Sequence, residues 1–249
     1  MKAIGIIPAR RHSERFDGKV LADLMGKPLV QHVWESAKRS RILEDVIVAT
    51  DSEDVIKVVN GFGGKAVYTS KDQPSGTDRI VEVVNPIDAG VIVNIQGDEP
   101  LVHYSMIDGL ANALLEDSSV QMATVIKKIS DKTELLNPNV VKAVIDKAGY
   151  ALYFSRSPIP YDRISKPETG SPFFYYKHIG IYAYTKDFLF TYTNLPKSIL
   201  EDREKLEQLR ALENGYRIKT IETEFDTVGV DTPEDLRKVE EILKSVRTV

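Results

Sequence analysis

"VIVNIQGDEP", Val91 to Pro100, opens on a run of β-branched residues and closes on a turn carrying two carboxylates. The run does not alternate apolar with polar, which is the pattern of a strand covered on both faces. "AIGII" (3–7), "DVIVAT" (45–50) and "AVYT" (66–69) read the same way. Helical stretches lie between these runs, at roughly 28–40, 52–62 and 76–85. Strand and helix therefore alternate, which predicts an α/β fold on a doubly wound, mostly parallel sheet.

Further along, the boundaries carry their own signals. In "SGTDR" (75–79), Ser75 is placed as a helix N-cap with Asp78 three residues later. In "DTPEDL" (231–236), Thr232 is the cap, Pro233 the first helical residue and Asp235 the third, with the helix running to about Ser245. "EDREKLEQLRALENG" (201–215) reads as one charged helix stopped by Gly215. "SRSPIPYDRISKPETGSP" (155–172) has prolines at 158, 160, 167 and 172, which exclude a regular helix or a central strand. It is flanked by the aromatic, strand-like "YALYF" (150–154) and "FFYYKHIGIYAY" (173–184). The expectation is a single domain over 1–249 with an inserted β-rich arm at about 150–185. The arm's aromatics would serve either the core or a subunit contact.

Bulk composition narrows the function classes. A net charge of −4 over 249 residues offers no global attraction to nucleic acid or to an anionic membrane, so local basic clusters carry the information. Cysteine is absent, which excludes disulfides, thiolate catalysis and Cys-based zinc sites and fits a reducing compartment. No apolar run approaches the ~20 residues needed to cross a bilayer. The apolar run in "MKAIGIIPARR" is too short for a signal peptide, and its charges follow it. A cytoplasmic protein is expected.

Ligands of open parallel sheets bind beyond the C-terminal ends of the strands, so the segments after each strand are the places to search. After the first strand, Arg10 and Lys19 bracket a loop that contains Ser13 and Arg15. The loop has one glycine, Gly18, and lacks the G-x-x-x-x-G-K-[ST] spacing of a phosphate-binding loop. It could hold a triphosphate by side chains, Arg forking an oxygen pair and Lys supplying a compact charge. It also reads as a solvated loop in which Glu14 and Asp17 pair the cations. The segments "TDS" (50–52) and "SKDQPSGTDR" (70–79) follow the second and third strands.

In "QGDEP" (96–100), Asp98 stands at the end of a buried strand and suits Mg2+, which prefers hard oxygens and few protein ligands. Glu99 would support it from behind; a plain Gly-Asp turn is the other reading. Asp231 is a turn residue or, since Thr232 already caps the helix, a carboxylate free to point elsewhere. "GFGGKA" (61–66) lies between a helix and a strand, the wrong order for a dinucleotide fingerprint, and reads as a helix stop. The histidines at 12, 32, 103 and 178 have no zinc-site spacing.

Taken together, "IPARRHSERFDGKVL", "SGTDRIVEV", "NIQGDEP", "SRSPIPYDR", "KHIGIYAY", "LEQLRALENGYRI" and "GVDTPEDL" resemble the sugar-acid cytidylyltransferases, in order and over essentially the whole chain. The branch that uses 3-deoxy-manno-octulosonate (Kdo) is the most similar. "RHSERFD" is more charged than that family's usual first loop. The resemblance implies a Rossmann-like nucleotidyltransferase fold and a homodimer formed through the β-arm. It implies an Mg2+-dependent transfer of CMP from CTP to the anomeric hydroxyl of Kdo, with release of pyrophosphate, for lipopolysaccharide biosynthesis.

Carried over by motif, Arg10, Ser13, Arg15, Lys19, Ser75, Gly76, Gln96 and Asp98 would meet CTP, and Asp98 and Asp231 would bind Mg2+. Arg10, Lys19, Asp98 and Asp231 would act in the reaction itself. Arg79, Gln96, His178, Tyr182, Glu207 and Gln208 would surround the sugar acid, with Arg79 suited to its carboxylate. The alternatives are another acidic sugar, such as sialic acid, and a non-catalytic nucleotide-binding module on the same fold. A transferase using a sugar phosphate would have a glycine-richer first loop.

Overall fold

The computed structural model describes residues 1–13, 15–73, 75–163 and 174–247. The chain begins with β1 (Ala3–Pro8), a 3-10 turn at Lys19–Leu21, and the short hairpin β2 (Asp23–Leu24) and β3 (Lys27–Pro28). It continues through α1 (Leu29–Ala37), β4 (Leu43–Thr50), α2 (Glu53–Gly61), β5 (Lys65–Tyr68), α3 (Gly76–Val84) and β6 (Val91–Asn94). Next come α4 (Tyr104–Glu116), β7 (Met122–Lys128), α5 (Lys132–Leu136), β8 (Lys142–Ile145), β9 (Ala151–Ser155) and β10 (Tyr176–Thr185). The described part closes with α6 (Lys186–Thr193), α7 (Ile199–Glu204), α8 (Leu209–Glu213), β11 (Lys219–Glu222) and α9 (Pro233–Arg247).

The main sheet has the order β11-β7-β10-β6-β1-β4-β5. β1 runs parallel to β4 and β6, β4 to β5, and β7 to β11. Only β10 opposes its neighbours in this path, lying antiparallel to both β6 and β7. The missing alternation in the β-branched runs now has its cause. Ala3 and Ile7 of β1 face one apolar layer, and Ile4 and Ile6 face the other. Val46 and Val48 divide from Ile47 and Ala49 in the same way. Helices α1, α2 and α4 cover the first layer, and α3 and α6 the second. Each fully buried Val or Ile contributes about 1.5–3 kcal/mol, so this two-sided burial is the main stabilising term.

Two sequence expectations need correction. Residues 201–215 are not one helix: α7 and α8 are separated at Lys205, whose φ of 54° is left-handed. The break turns Leu206 and Leu209 into the apolar layer, and burial of those side chains outweighs the continuous helical hydrogen bonding. The β-rich arm also has different limits. It begins with β8, before 150, and β8 and β9 pair antiparallel beside Tyr176 and Lys177 of β10. The rest of β10 is a central strand of the main sheet, because Ile179, Ile181 and Ala183 are apolar enough to be buried there. The 164–173 part of the expected loop lies outside the described residues.

Helix α4 has no counterpart among the predicted helices. His103 caps it, its ring nitrogen accepting the Ser105 N–H at 3.3 Å, and histidine is not a cap that sequence patterns announce. The predicted caps of α3 and α9 are present. Ser75 accepts the Asp78 N–H at 3.1 Å. Thr232 accepts the Asp235 N–H at 3.2 Å, while Asp235 takes the Thr232 N–H at 2.9 Å.

Candidate active site

The parallel strands deliver four loops to one edge, and backbone contacts lock two distant segments there. Gly97 lets the turn after β6 pass over the end of β1, since a Cβ at that position would lie 2.6 Å from the Pro8 carbonyl oxygen. The Val230 N–H donates to the Asp98 carbonyl at 2.9 Å, which sets Asp231 beside Asp98 across most of the chain's length. Asp231 is held in turn by its own N–H, which donates to Asp235 at 3.1 Å.

Lys19 closes this arrangement. Its Nζ lies 2.5 Å from Asp98 Oδ2 and 2.9 Å from Asp231 Oδ1. Arg15 reaches the other oxygen of Asp231 at 2.9 Å. Burial by itself would lower the lysine's pKa, but Asp98 and Asp231 outweigh it and hold the ammonium above the ordinary lysine value. Gly18 permits the approach with a φ of 69°, and its N–H donates to the Arg11 carbonyl at 3.0 Å to close the loop. Two carboxylates therefore converge on a single cation. That donor set fits Mg2+, which takes one or two carboxylates and completes its shell with substrate phosphates and water. Among the described residues no group of three or more His, Cys, Asp or Glu is arranged for a metal.

Glu99, the residue after Asp98, bonds to Thr227 and lies against Gly229. Burial pushes its carboxyl up to about 8, with repulsion from Asp98 adding to the effect, so it is neutral at pH 7. The negative charge facing Lys19 thus comes from Asp98 and Asp231.

Gln96 and Glu99, on either side of the Gly97–Asp98 turn, line a cleft of about 1390 Å³. His178, Tyr182, Glu207 and Gln208 share it. The antiparallel strand β10 explains the gathering: Tyr182 is registered opposite Asn94, so the strand's earlier residues run out beyond the end of β6. His178 Nε2 meets Thr124 Oγ1 at 2.8 Å. Thr124 spends its own proton on the Ile181 carbonyl at 2.9 Å, so His178 carries its proton on Nε2. Nδ1 is left as an acceptor facing Gln208, whose Nε2 is 3.5 Å away.

Burial pushes the His178 imidazole down to about 3, so it stays neutral. Unfolded, the ring titrates near 6.5, so below that pH the unfolded chain binds a proton that the fold refuses. Stability is fully present above about pH 6.5 and is lost on acidification. Between pH 7 and 5 the parent protein is expected to lose about 2 kcal/mol more than His178→Gln. Urea melts of both proteins at the two pH values would measure it, and equal losses would show that His178 charges within the fold.

The remaining expected residues divide. Arg10 Nη2 donates to the Gln73 carbonyl at 3.0 Å, and Ser13 lies half-buried in the same loop. Ser75 and Gly76 start α3 beside β1, with a Gly76 Cβ placed 3.6 Å from the Pro8 ring. Burial raises the Glu207 carboxyl, with Thr77 of α3 bonding to it. Among the residues expected around the sugar acid, Arg79 is the exception, because it does not line the cleft. It is fully buried, donating to Asp51 Oδ2 at 3.0 Å and to the Thr69 hydroxyl. Both its terminal nitrogens are engaged away from the cleft that His178 and Gln208 line, so the expected pairing of Arg79 with a sugar carboxylate is not one that the side chain is placed for here.

Asp51 itself was missed, as were the cleft walls formed by Arg39, His103 and Phe225. Asp51 had one available signal, its place directly after a parallel strand. The other three had none, because they are brought in by α1, the cap of α4 and an irregular segment.

Comparison with known proteins gives concordant results. The family model described as Cytidylyltransferase matches residues 4–221. The chain is 51% identical to the 3-deoxy-manno-octulosonate cytidylyltransferase of Geotalea uraniireducens, over 98% of this chain and 100% of that one. It is 50% identical to the protein of the same name from Geobacter sulfurreducens, again over 98% and 100%. Among solved structures, that of CMP:2-keto-3-deoxy-manno-octonic acid synthetase complexed with CTP superposes with a TM-score of 0.91 at 43% identity, covering 98% of this chain and 99% of that chain.

Proposed function

The chain belongs to the 3-deoxy-manno-octulosonate cytidylyltransferases within the cytidylyltransferase family, and from this we infer that it transfers CMP from CTP to Kdo. The observation that carries the reading is the convergence of Asp98 and Asp231 on one cation, next to a cleft with polar groups for a sugar acid. The anomeric hydroxyl of Kdo attacks the α-phosphorus of CTP, and pyrophosphate leaves in line. Such a step needs positioning and charge neutralisation more than covalent help.

In this reading Arg10, Arg15 and Lys19 hold the triphosphate, and Arg10 and Lys19 offset the charge that builds on pyrophosphate. Asp98 and Asp231 would hold Mg2+, which neutralises phosphate charge and acidifies a bound hydroxyl. Neutral His178 offers Nδ1 as an acceptor, and Gln96 and Gln208 offer amides that recognise hydroxyls without adding charge. Burial keeps the Tyr182 phenol protonated, so it serves as a hydrogen-bonding group and not as a base. A homodimer through the arm belongs to the same reading, supported by the exposure of Leu152, Tyr161 and Phe174. Among the described residues no helix is long and apolar enough to cross a membrane. CTP as donor fits a cytoplasmic reaction.

Mixing the protein with CTP, Mg2+ and Kdo is expected to release pyrophosphate, with far less release when sialic acid replaces Kdo. Release only with sialic acid would move the assignment to that sugar. No release with either would favour a non-catalytic nucleotide-binding module.

A further inference from the structure

Asp51 is the first residue after β4, the strand beside β1 in the sheet. The β1–β4 ladder runs on to Ala9, whose N–H donates to the Ala49 carbonyl at 2.8 Å. Two residues later the backbone partner is replaced by a side chain: the Arg11 N–H donates to Asp51 Oδ1 at 3.3 Å. The carboxylate thus continues the ladder past the end of the sheet and into the loop that carries Arg10.

The other oxygen of Asp51 accepts Arg79 Nη2 at 3.0 Å. Arg79 belongs to α3, has no exposed surface and also donates to the Thr69 hydroxyl. Thr69 is itself tied to β4 by its N–H, which donates to the Thr50 carbonyl at 2.8 Å. One carboxylate therefore joins the loop after β1, the end of β4, the end of β5 and the first turns of α3.

Charge makes the link directional. Arg10 lies near enough to Arg79 for like-charge repulsion, and its own guanidinium is seated on the Gln73 carbonyl at 3.0 Å. Burial is the largest influence on Arg79 and disfavours its charge, Asp51 counters that effect, and Arg10 opposes Asp51. Glu82 is the other anion facing the guanidinium. Without the Asp51 charge, a desolvated cation would press on the side chain assigned to the triphosphate.

We propose that Asp51 is a positioning residue for nucleotide binding, setting the Arg10 loop by holding the Arg11 backbone and the buried Arg79 together. It acts through those two partners. The proposal rests on the reading that the first loop holds CTP, and it assigns to Asp51 an effect on CTP that Kdo does not share.

The test uses the full chain with Asp51→Asn and Asp51→Ala, assayed at a temperature where circular dichroism shows both folded. Asp51→Asn keeps the side chain's size and an oxygen acceptor for Arg11 but turns an amide NH2, in place of a charged acceptor, toward Arg79, so it breaks the charged link and preserves the test if Asp51→Ala does not fold. Calorimetry with CTP alone is expected to show Kd raised roughly tenfold in Asp51→Asn, and KM for CTP should follow, because a charge-assisted restraint is lost. KM for Kdo should stay within about twofold, a split that general loosening of the fold would not produce. A CTP Kd within about twofold of the parent would overturn the proposal, and so would an equal rise in both KM values. Lys19→Ala is the control. If it also leaves CTP binding unchanged, the triphosphate assignment of the loop fails; if it weakens binding while Asp51→Asn does not, only the role of Asp51 fails.

Discussion

Replacing Asp98 with asparagine is expected to lower kcat for CMP-Kdo formation about a thousandfold, with a much smaller change in CTP affinity. Asparagine matches aspartate in shape and leaves the Gly97–Asp98 turn undisturbed, so the change is one of charge. Asp98 lies 2.5 Å from the Lys19 ammonium and shares that cation with Asp231. Losing one of two converging carboxylates weakens the field that would hold Mg2+. Such a cation supplies several kcal/mol in the transition state, and each ~1.4 kcal/mol is tenfold in rate. CTP binding is spread over Arg10, Arg15 and Lys19, which remain. Steady-state kcat and a CTP Kd from calorimetry check the split. Turnover equal to the parent's would remove Asp98 from the reaction.

Lys19→Ala is expected to fail differently, lowering kcat/KM by about 10²–10³-fold through both binding and rate. Lys19 is an ammonium with 13% of its side chain exposed, between two carboxylates and at the start of the turn that closes the first loop. Removing it takes a cation from the triphosphate and leaves Asp98 and Asp231 facing one another. Two like charges at one position repel, which opposes an incoming polyanion in both the ground state and the transition state. Lys19→Arg should recover little, because a planar fork cannot occupy the space of a compact ammonium. The check is KM for CTP and kcat measured together. A variant that altered only one of them would assign Lys19 to that step alone.

Much of this site was readable from residue order. The loop after β1, the carboxylate after β6 and the capped start of α9 are local features, set by backbone chemistry within a few residues. So was the parallel sheet, because strands covered on both faces are apolar throughout. Position beyond a strand end was enough to single out Lys19 and Asp98. It left Asp231 open between a turn residue and a ligand, since nothing near position 231 states what lies opposite. The surroundings of Arg79 were hidden for a related reason: an arginine in a substrate-like motif looks the same whether it faces a cleft or is buried against Asp51. The break at Lys205 was invisible because a charged, helix-favouring segment does not disclose that Leu206 and Leu209 must turn inward.

By itself, then, the sequence determined the first parallel strands, the capped starts of α3 and α9 and the cationic and anionic loops, because hydrogen bonding and apolar periodicity act over short distances along the chain. Only the tertiary structure decided which of those charges meet. The Val230–Asp98 hydrogen bond, the antiparallel entry of β10 between β6 and β7, and the burial of Arg79 on Asp51 all join residues far apart in sequence. Packing of the two apolar layers sets those meetings, and packing is a property of the whole chain.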